Sequence, residues 1–141
     1  MKLLQEIRLN PGTKVLMRID VNEPIDDHGV PQDTFRLRQC LPTLRYLREQ
    51  EAKVILVAHL GKPKGKTVSK LRLHYIAKEL STLLEAPIQY VADITGDMAQ
   101  KEVTDMHNRD IVLLENIRFD AREEKNSDEL AGELSRFGDI Y

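Results

Sequence analysis

The chain has 141 residues, which is long enough for one domain with a hydrophobic core. It is 41% hydrophobic and 31% charged, a composition typical of a water-soluble globular protein. A net charge of −2 gives no general basic field for nucleic acid, although a local anion site remains open.

Cysteine content and hydropathy indicate the compartment. The single cysteine, Cys40, excludes an internal disulfide and fits a reducing cytoplasm, and we expect it to fill the core. No apolar run approaches membrane-spanning length, and residues 1–10 lack a signal-peptide core. We therefore expect a cytoplasmic protein with neither a membrane nor a nucleic acid as partner.

The first strand carries the first unusual pattern. After a lead-in over residues 1–13, an apolar run predicts a strand over 14–20. Arg18, Asp20 and Asn22 occupy alternate positions, so their side chains point the same way while the chain stays extended. Such a row is costly beside a buried strand unless the charges are paired or meet a ligand. Two interpretations stay open: a structural Arg18–Asp20 pair closing a turn, or the floor of a binding site.

The remaining chain alternates helices and strands. Turn-forming residues predict a loop over 21–33, and Asp33 or Thr34 can cap the helix that follows. Pro42 inside that helix indicates a kink or a late start. The predicted helices are 35–50, 70–85, 97–107 and 127–137, and the further predicted strands are 53–58, 88–91 and 111–114. Residues 139–141 are typical of the start of another strand.

This alternation predicts an α/β fold with a parallel sheet and right-handed crossovers. Such sheets bind ligands at the carboxyl ends of their strands. Polar residues follow three predicted strands: Asp20 and Asn22 the first, His59 the second, and Glu115, Asn116 and Arg118 the last. Their collection at one edge favours a binding site over scattered structural charge.

The expected ligand is anionic. The cationic side chains that can converge on this edge are Arg36, His59 and Arg118, with Lys62, Lys64 and Lys66 nearby. Arg36 offers a planar bidentate donor, and it lies near a helix start, where orphan N–H groups also favour an anion. Asp20 and Asn22 would hold hydroxyl groups or orient the arginines. The alternatives are that Arg36 and Arg38 are solvated helix charges and that His59 is structural.

The glycine- and lysine-rich stretch over 61–67 only superficially matches a phosphate-binding P-loop. Three residues separate Gly61 from Gly65 where the motif needs four, and Pro63 removes a backbone N–H. A P-loop NTPase is therefore the weakest hypothesis. The sequence also lacks a Cys/His cluster for zinc, an EF-hand loop and a Gly-x-Ser-x-Gly motif.

Four ordered motifs together resemble one family. Residues 18–24, Arg-Ile-Asp-Val-Asn-Glu-Pro, are similar to the R-x-D-x-N-x-P signature of phosphoglycerate kinases. The resemblance continues through residues 36–43, 59–65 and 113–126. It covers nearly all of this chain but only about the first third of the family's length.

The resemblance implies a Rossmann-like, three-layer α/β/α fold with a mainly parallel sheet. Residues 1–141 would be an incomplete N-terminal domain that binds 3-phosphoglycerate. The domain for Mg-ATP or Mg-ADP would be absent, so no cofactor or metal is expected in this chain.

The resemblance also implies residue roles. Asp20 and Asn22 would contact the substrate's hydroxyl and glycerate backbone, and His59 and Arg118 its anionic end. Arg36 would be catalytic, neutralising the transferring phosphoryl group or the attacking carboxylate. The full expected substrate-binding set is Asp20, Val21, Asn22, Arg36, His59, Leu60, Gly61, Lys62 and Arg118.

Three residues depart from the family's usual pattern. Glu23 replaces a small or apolar residue and adds negative charge beside an anion site. Lys62 replaces an arginine and loses a bidentate donor. Phe35 shifts Asp33 and Thr34 out of the usual register with Arg36.

The resemblance implies that the intact enzyme is a monomer. It also implies that the intact enzyme catalyses a step of glycolysis. This step is the reversible phosphoryl transfer between 1,3-bisphosphoglycerate and ADP that gives 3-phosphoglycerate and ATP. We expect the 141-residue chain alone to be inactive, and either marginally stable or self-associating. The alternatives are a non-catalytic module that binds a phosphorylated metabolite, and a fragment without independent function.

Overall fold

The computed structural model describes residues 3–141, so the first two residues of the predicted lead-in lie outside it. The helices are α1 (Phe35–Glu49), α2 (His74–Leu84), α3 (Asp97–Asp105), α4 (Ala121–Glu124) and α5 (Asp128–Ser135). The strands are β1 (Lys14–Asp20), β2 (Lys53–His59), β3 (Gln89–Tyr90) and β4 (Ile111–Leu113). Single 3₁₀ turns lie at Leu4–Glu6, Ser69–Leu71 and Ile117–Phe119.

The strands form one parallel sheet in the order β1-β2-β4-β3. The central strand β2 is apolar, and all of its residues except the first and the last are buried. This is expected for a parallel strand covered on two faces. In the register of β1 and β2, Asp20 lies directly beside His59. The two polar strand ends therefore meet at the same edge of the sheet.

Helices cover both faces of this sheet, which confirms the three-layer α/β/α prediction. Alternate residues of β2 enter two separate cores because side chains on a strand alternate faces. One core contains Val54, Leu56, Leu37, Leu44, Leu47, Ile76 and Leu80, from β2, α1 and α2. The other contains Ile55, Val57, Ala99, Val103 and Leu130, from β2, α3 and α5.

Cys40 lies on the buried face of α1 and belongs to the core, as predicted. Burial raises the pKa of its thiol to about 11, so the sulfur is protonated at neutral pH. Pro42 neither delays nor ends α1, because the helix begins at Phe35 and continues past it to Glu49.

Two predicted helices begin later than expected. The helix predicted from residue 70 starts at His74, because Ser69–Leu71 form a 3₁₀ turn first. The predicted acidic loop contains the short helix α4, which the Asp120 carboxylate caps by accepting the N–H of Arg122 at 2.9 Å. The last helix, α5, begins at Asp128 and ends at Ser135.

The chain returns to the outer edge of β1 at its last residues, as the prediction of a further strand indicated. Ile140 forms a parallel bridge with Val15, and the N–H of Leu16 donates to the Ile140 carbonyl at 2.8 Å. Among the helices of residues 3–141, none has both the length and the apolar character needed to cross a membrane.

Candidate functional site

The site begins where β1 ends. The Asp20 carboxylate accepts the backbone N–H of Asn22 at 3.0 Å and forms an ion pair with the guanidinium of Arg36. The Asn22 N–H, followed by Arg36, holds the pKa of Asp20 below its usual value against the opposing effect of burial. Arg36 from α1 is thus drawn over the carboxyl end of the first strand.

A second contact joins the loops that follow β1 and β2. The side-chain oxygen of Asn22 accepts the N–H of Gly61 at 2.9 Å. Gly61 has a φ of +64°, and an added Cβ would lie 2.8 Å from Cδ2 of Leu71. Only glycine fits this turn without strain, so the backbone here is shaped to face Asn22.

Cationic side chains line the neighbouring part of the edge. Glu123 from α4 accepts from Arg18 at 2.9 Å and from Arg118 at 3.3 Å, so one carboxylate holds two guanidinium groups. Burial alone would raise the pKa of Glu123, but the hydrogen bond from Arg18 and the charge of Arg118 keep it below its usual value. The interpretation of Arg18 and Asp20 as a structural pair is wrong, because each pairs with a different residue.

His59 lies at the end of β2, where the positive charges of Arg118 and Arg18 act on it. Its pKa is lowered, first because partial burial disfavours the imidazolium and second because Arg118 and Arg18 add positive charge. Glu123 and Asp20 oppose the shift without reversing it. An anion at this edge would therefore meet a neutral imidazole that feels the charges of Arg118 and Arg18, and the bound anion would raise the pKa of that imidazole.

Asn116 holds the loops of this edge together from below. Its side chain is fully buried and bonds to both backbone groups of Leu60, donating to the carbonyl at 2.8 Å and accepting the N–H at 3.3 Å. It also donates to the carbonyl of Leu71 at 2.9 Å and accepts the N–H of Arg118 at 3.2 Å. One amide therefore fixes the backbone of His59–Gly61 relative to Arg118.

Glu115 supports the same junction. Its carboxylate is buried and accepts from Arg72 at 2.8 Å, from the Tyr90 hydroxyl, and from the N–H groups of Leu73 and Asn116. Four donors satisfy the buried charge, as its position requires. Burial and the neighbouring carboxylate raise the pKa of Tyr90 to about 12, so the phenol is a donor at neutral pH.

The remaining members of the expected substrate-binding set differ in whether their side chains are buried or exposed. Val21 and Leu60 are buried in the core, so any direct contact with a ligand would use their backbone. Lys62 is exposed and makes no ion pair with another residue of the described chain. Lys64 and Lys66 are exposed in the same loop, and the N–H of Gly65 donates to the Arg118 carbonyl at 3.1 Å.

The prediction that orphan N–H groups at the start of α1 favour an anion is wrong. Glu23 accepts the N–H groups of Arg36 and Leu37, and Asp33 accepts that of Phe35 at 3.0 Å. These donors are already taken by the protein, so the attraction for an anion at this edge comes from side chains.

Sequence reasoning missed three contributors: Arg18 as a partner of Glu123, Glu123 itself, and Glu23 as a helix cap. The alternate spacing of Arg18 with Asp20 signalled that it faces the site. Glu123 gave no such signal, because 105 residues separate it from Arg18.

The stretch over 61–67 does not form a loop-to-helix junction of the P-loop kind, because a 3₁₀ turn and an extended segment separate it from α2. Across residues 3–141, no group of three or more His, Cys, Asp or Glu side chains is arranged to hold a metal ion.

This fold and edge define a class: an α/β protein with a parallel sheet whose cationic side chains gather at the carboxyl ends of the strands. The family model for "Phosphoglycerate kinase" matches residues 4–141, and the chain belongs to the phosphoglycerate kinase family.

Individual relatives agree with this assignment. The phosphoglycerate kinase of Synechococcus elongatus is 48% identical over 130 residues, which are 92% of this chain and 32% of that protein. That of Nautilia profundicola is 41% identical over 137 residues, which are 97% of this chain and 34% of that protein. The crystal structure of phosphoglycerate kinase from Pyrococcus horikoshii superposes with a TM-score of 0.84 at 31% identity, covering 99% of this chain and 35% of that one. The chain thus spans about a third of the length of these relatives.

Proposed function

We propose that residues 1–141 are an incomplete N-terminal domain of a phosphoglycerate kinase and supply its 3-phosphoglycerate site. The observation that carries the proposal is the edge where β1, β2 and β4 end. There, Arg36, His59 and Arg118 gather beside Asp20 and Asn22, in a chain of the phosphoglycerate kinase family. This set combines two guanidinium groups for a phosphate and a carboxylate, a neutral imidazole that can gain a proton when an anion binds, and acceptors for a hydroxyl group.

Each side chain then has a role in binding. Arg118 and His59 hold the anionic end of 3-phosphoglycerate, with Lys62 adding charge from the exposed loop. Asp20 and Asn22 accept from the substrate hydroxyl and fix the glycerate backbone. The backbone of Val21, Leu60 and Gly61 shapes the wall behind the substrate.

Arg36 is the proposed catalytic residue. In the intact enzyme a carboxylate oxygen of 3-phosphoglycerate attacks the terminal phosphorus of ATP, and the bond from that phosphorus to the ADP oxygen breaks. The reverse reaction uses 1,3-bisphosphoglycerate and ADP. Phosphoryl transfer depends mainly on positioning and on charge stabilisation, and a guanidinium beside the attacking carboxylate supplies both.

We propose that the Mg-nucleotide binds to a C-terminal domain of the intact enzyme, since this chain spans about a third of the length of its phosphoglycerate kinase relatives. We therefore expect no turnover by residues 1–141 alone. The intact protein would act in glycolysis as a cytoplasmic monomer. A coupled ATP assay on the pure chain checks the expected lack of turnover, and measurable turnover would contradict that expectation.

Calorimetric titration with 3-phosphoglycerate tests the binding proposal. The wild-type chain should release or take up heat on binding, and the Arg36→Ala/Arg118→Ala variant should lose the response. Lys101→Ala/Arg109→Ala, which removes two cations distant from the site, is the matched control and should bind as the wild type does. ATP should give no response with any of them. Binding that survives in the double variant of the site would overturn the proposal.

A further inference from the structure

Glu23 occupies an unusual place for a charged residue. Only 5% of its surface is exposed, although it lies in the loop that leads away from β1. Its Oε1 accepts the backbone N–H of Arg36, the residue proposed to be catalytic, and that of Leu37 at 3.4 Å. The side chain of Thr34, at the cap position of α1, makes no capping bond, so Glu23 supplies the cap from a distant loop.

This contact and the Asp20 ion pair hold Arg36 at two points. Asp20 binds the guanidinium, and Glu23 binds the backbone N–H of the same residue. Asp20 ends β1 and Glu23 lies three positions later in the loop that follows. The bond from the Glu23 N–H to the Val21 carbonyl at 2.7 Å tightens this turn. The end of β1 at Asp20 and the loop that carries Glu23 are therefore both bonded to the start of α1.

The chemistry explains why a buried carboxylate is stable here. A buried charge needs strong donors, and the first N–H groups of a helix carry partial positive charge and lack partners within the helix. Glu23 therefore directs its negative charge at the first N–H groups of α1. The residue that seemed to oppose anion binding in the sequence has a different use in the structure.

We propose that Glu23 is a positioning residue that sets the place of Arg36 over the end of β1. Removing its carboxylate should let the start of α1 move away from the loop, and the Arg36 guanidinium should then leave Asp20. The ligand arm of the test below depends on the proposed function, whereas the arm without ligand does not.

The test without ligand is an NMR titration of the Asp20 carboxyl carbon. Asp20 faces the Asn22 N–H, the Arg36 guanidinium and His59, so its pKa reports whether Arg36 is in place. In Glu23→Ala the pKa of Asp20 should rise toward its value in Arg36→Ala. The matched control is Asp33→Ala, which removes another cap from the same helix end without touching Arg36, and it should leave the pKa of Asp20 unchanged.

Glu23→Asp covers the case in which Glu23→Ala does not fold. It keeps the charge but is one methylene shorter, so it should also raise the pKa of Asp20. An unchanged pKa of Asp20 in a folded Glu23→Ala or Glu23→Asp chain would overturn the proposal. A rise of equal size in Asp33→Ala would also overturn it, since the effect would then belong to the helix end in general.

The ligand arm measures 3-phosphoglycerate binding by calorimetry. Glu23→Ala should weaken binding about tenfold, the scale of one charge-assisted hydrogen bond, and should add little when Arg36→Ala is already present. If the wild type does not bind while the pKa of Asp20 rises as expected, the proposed function fails and the positioning role stands. If the wild type binds and neither Glu23 variant changes binding or the pKa of Asp20, the positioning role fails.

Discussion

At the scale of single residues, His59 is the most informative side chain of the edge. Partial burial and two nearby guanidinium groups keep it neutral, although Asp20 and Glu123 lie close enough to act on its charge. A neutral imidazole costs the folded chain little at pH 7 and leaves the nearby arginines free of a further positive neighbour. It also makes the stability of the fold sensitive to acid.

This sensitivity has a definite sign. Because the pKa of His59 is lower in the folded chain, the unfolded chain takes up the proton first as the pH falls. The free energy of unfolding should therefore decrease between about pH 7.5 and about pH 5.5, around the ordinary histidine pKa. His59→Gln should reduce this decrease, and His28→Gln, at an exposed position, should not. Urea unfolding at three pH values measures how the free energy of unfolding depends on pH. An equal pH dependence in the wild type and in His59→Gln would contradict this role of His59.

Asn116 shows how one buried amide can organise several loops. Its removal would leave the N–H and carbonyl of Leu60 and the carbonyl of Leu71 without their partner. We expect Asn116→Ala to lower the free energy of unfolding by about 2–4 kcal/mol, because unsatisfied buried polar groups are costly.

The matched control for Asn116 is Asn10→Ala, at an exposed position, which should cost less than about 0.5 kcal/mol. Chemical denaturation of both variants provides the comparison. A similar small loss in each would show that the buried amide does not support the edge.

At the scale of elements, α1 shows what the sequence can and cannot establish. The three- and four-residue spacing of its leucines predicted the helix and its buried face correctly, since Leu37, Leu41, Leu44 and Leu47 all lie in the core. The partner of its first turn was not predictable, because Glu23 lies 13 residues before Arg36 and no local pattern links them. Short-range periodicity is visible in a sequence, whereas contacts between loops depend on the finished fold.

Pro42 provides a prediction for the same helix. It lies inside α1 on an exposed face, where its ring removes one backbone hydrogen bond. Pro42→Ala should therefore stabilise the chain by about 1–2 kcal/mol, somewhat less than the full cost of an interior proline because the unfolded chain gains freedom.

Gln39→Ala, at another exposed position of α1, is the control for Pro42 and should change stability by no more than about 0.5 kcal/mol. Urea denaturation of the two variants measures both changes in the free energy of unfolding. A destabilised Pro42→Ala chain would mean that the ring contributes packing that outweighs its lost hydrogen bond.

At the scale of the whole molecule, the outer edge of β1 is only partly paired. Within residues 3–141, β1 pairs on its outer side only through the bridge to Ile140, so its backbone beyond Leu16 has no partner there. An apolar cavity of about 490 Å³ opens on one side of this edge and another of about 330 Å³ on the other. Tyr141 lines both cavities and is 84% exposed.

This edge is the basis for expecting self-association of the chain. Unpaired strand edges flanked by apolar surface bind other strands unless charge or cover prevents it. Tyr141→Lys should therefore shift the sedimentation profile toward monomer, while Met98→Lys, at a 57% exposed position on α3, should not. A wild-type chain that stays monomeric across the micromolar range would contradict this expectation.

The class of fold was predictable at this scale because alternation of helix and strand leaves few arrangements of the sheet. The position of the polar residues at the carboxyl edge followed from the same rule, and the register of Asp20 with His59 confirms their proximity. The pairing of Glu123 with Arg18 and Arg118 did not follow, because it requires the path of the chain around α4.

The substrate site proposed here is the edge where β1, β2 and β4 end, with 3-phosphoglycerate as its ligand. Backbone-amide NMR spectra recorded during titration with 3-phosphoglycerate test it most directly. The resonances of Asn22, Gly61, Lys62 and Arg118 should shift with one saturating curve, while those of α3 should stay in place. Shifts confined to α3 and α5, or no shifts in a chain whose spectrum shows it to be folded, would contradict a substrate site in these residues.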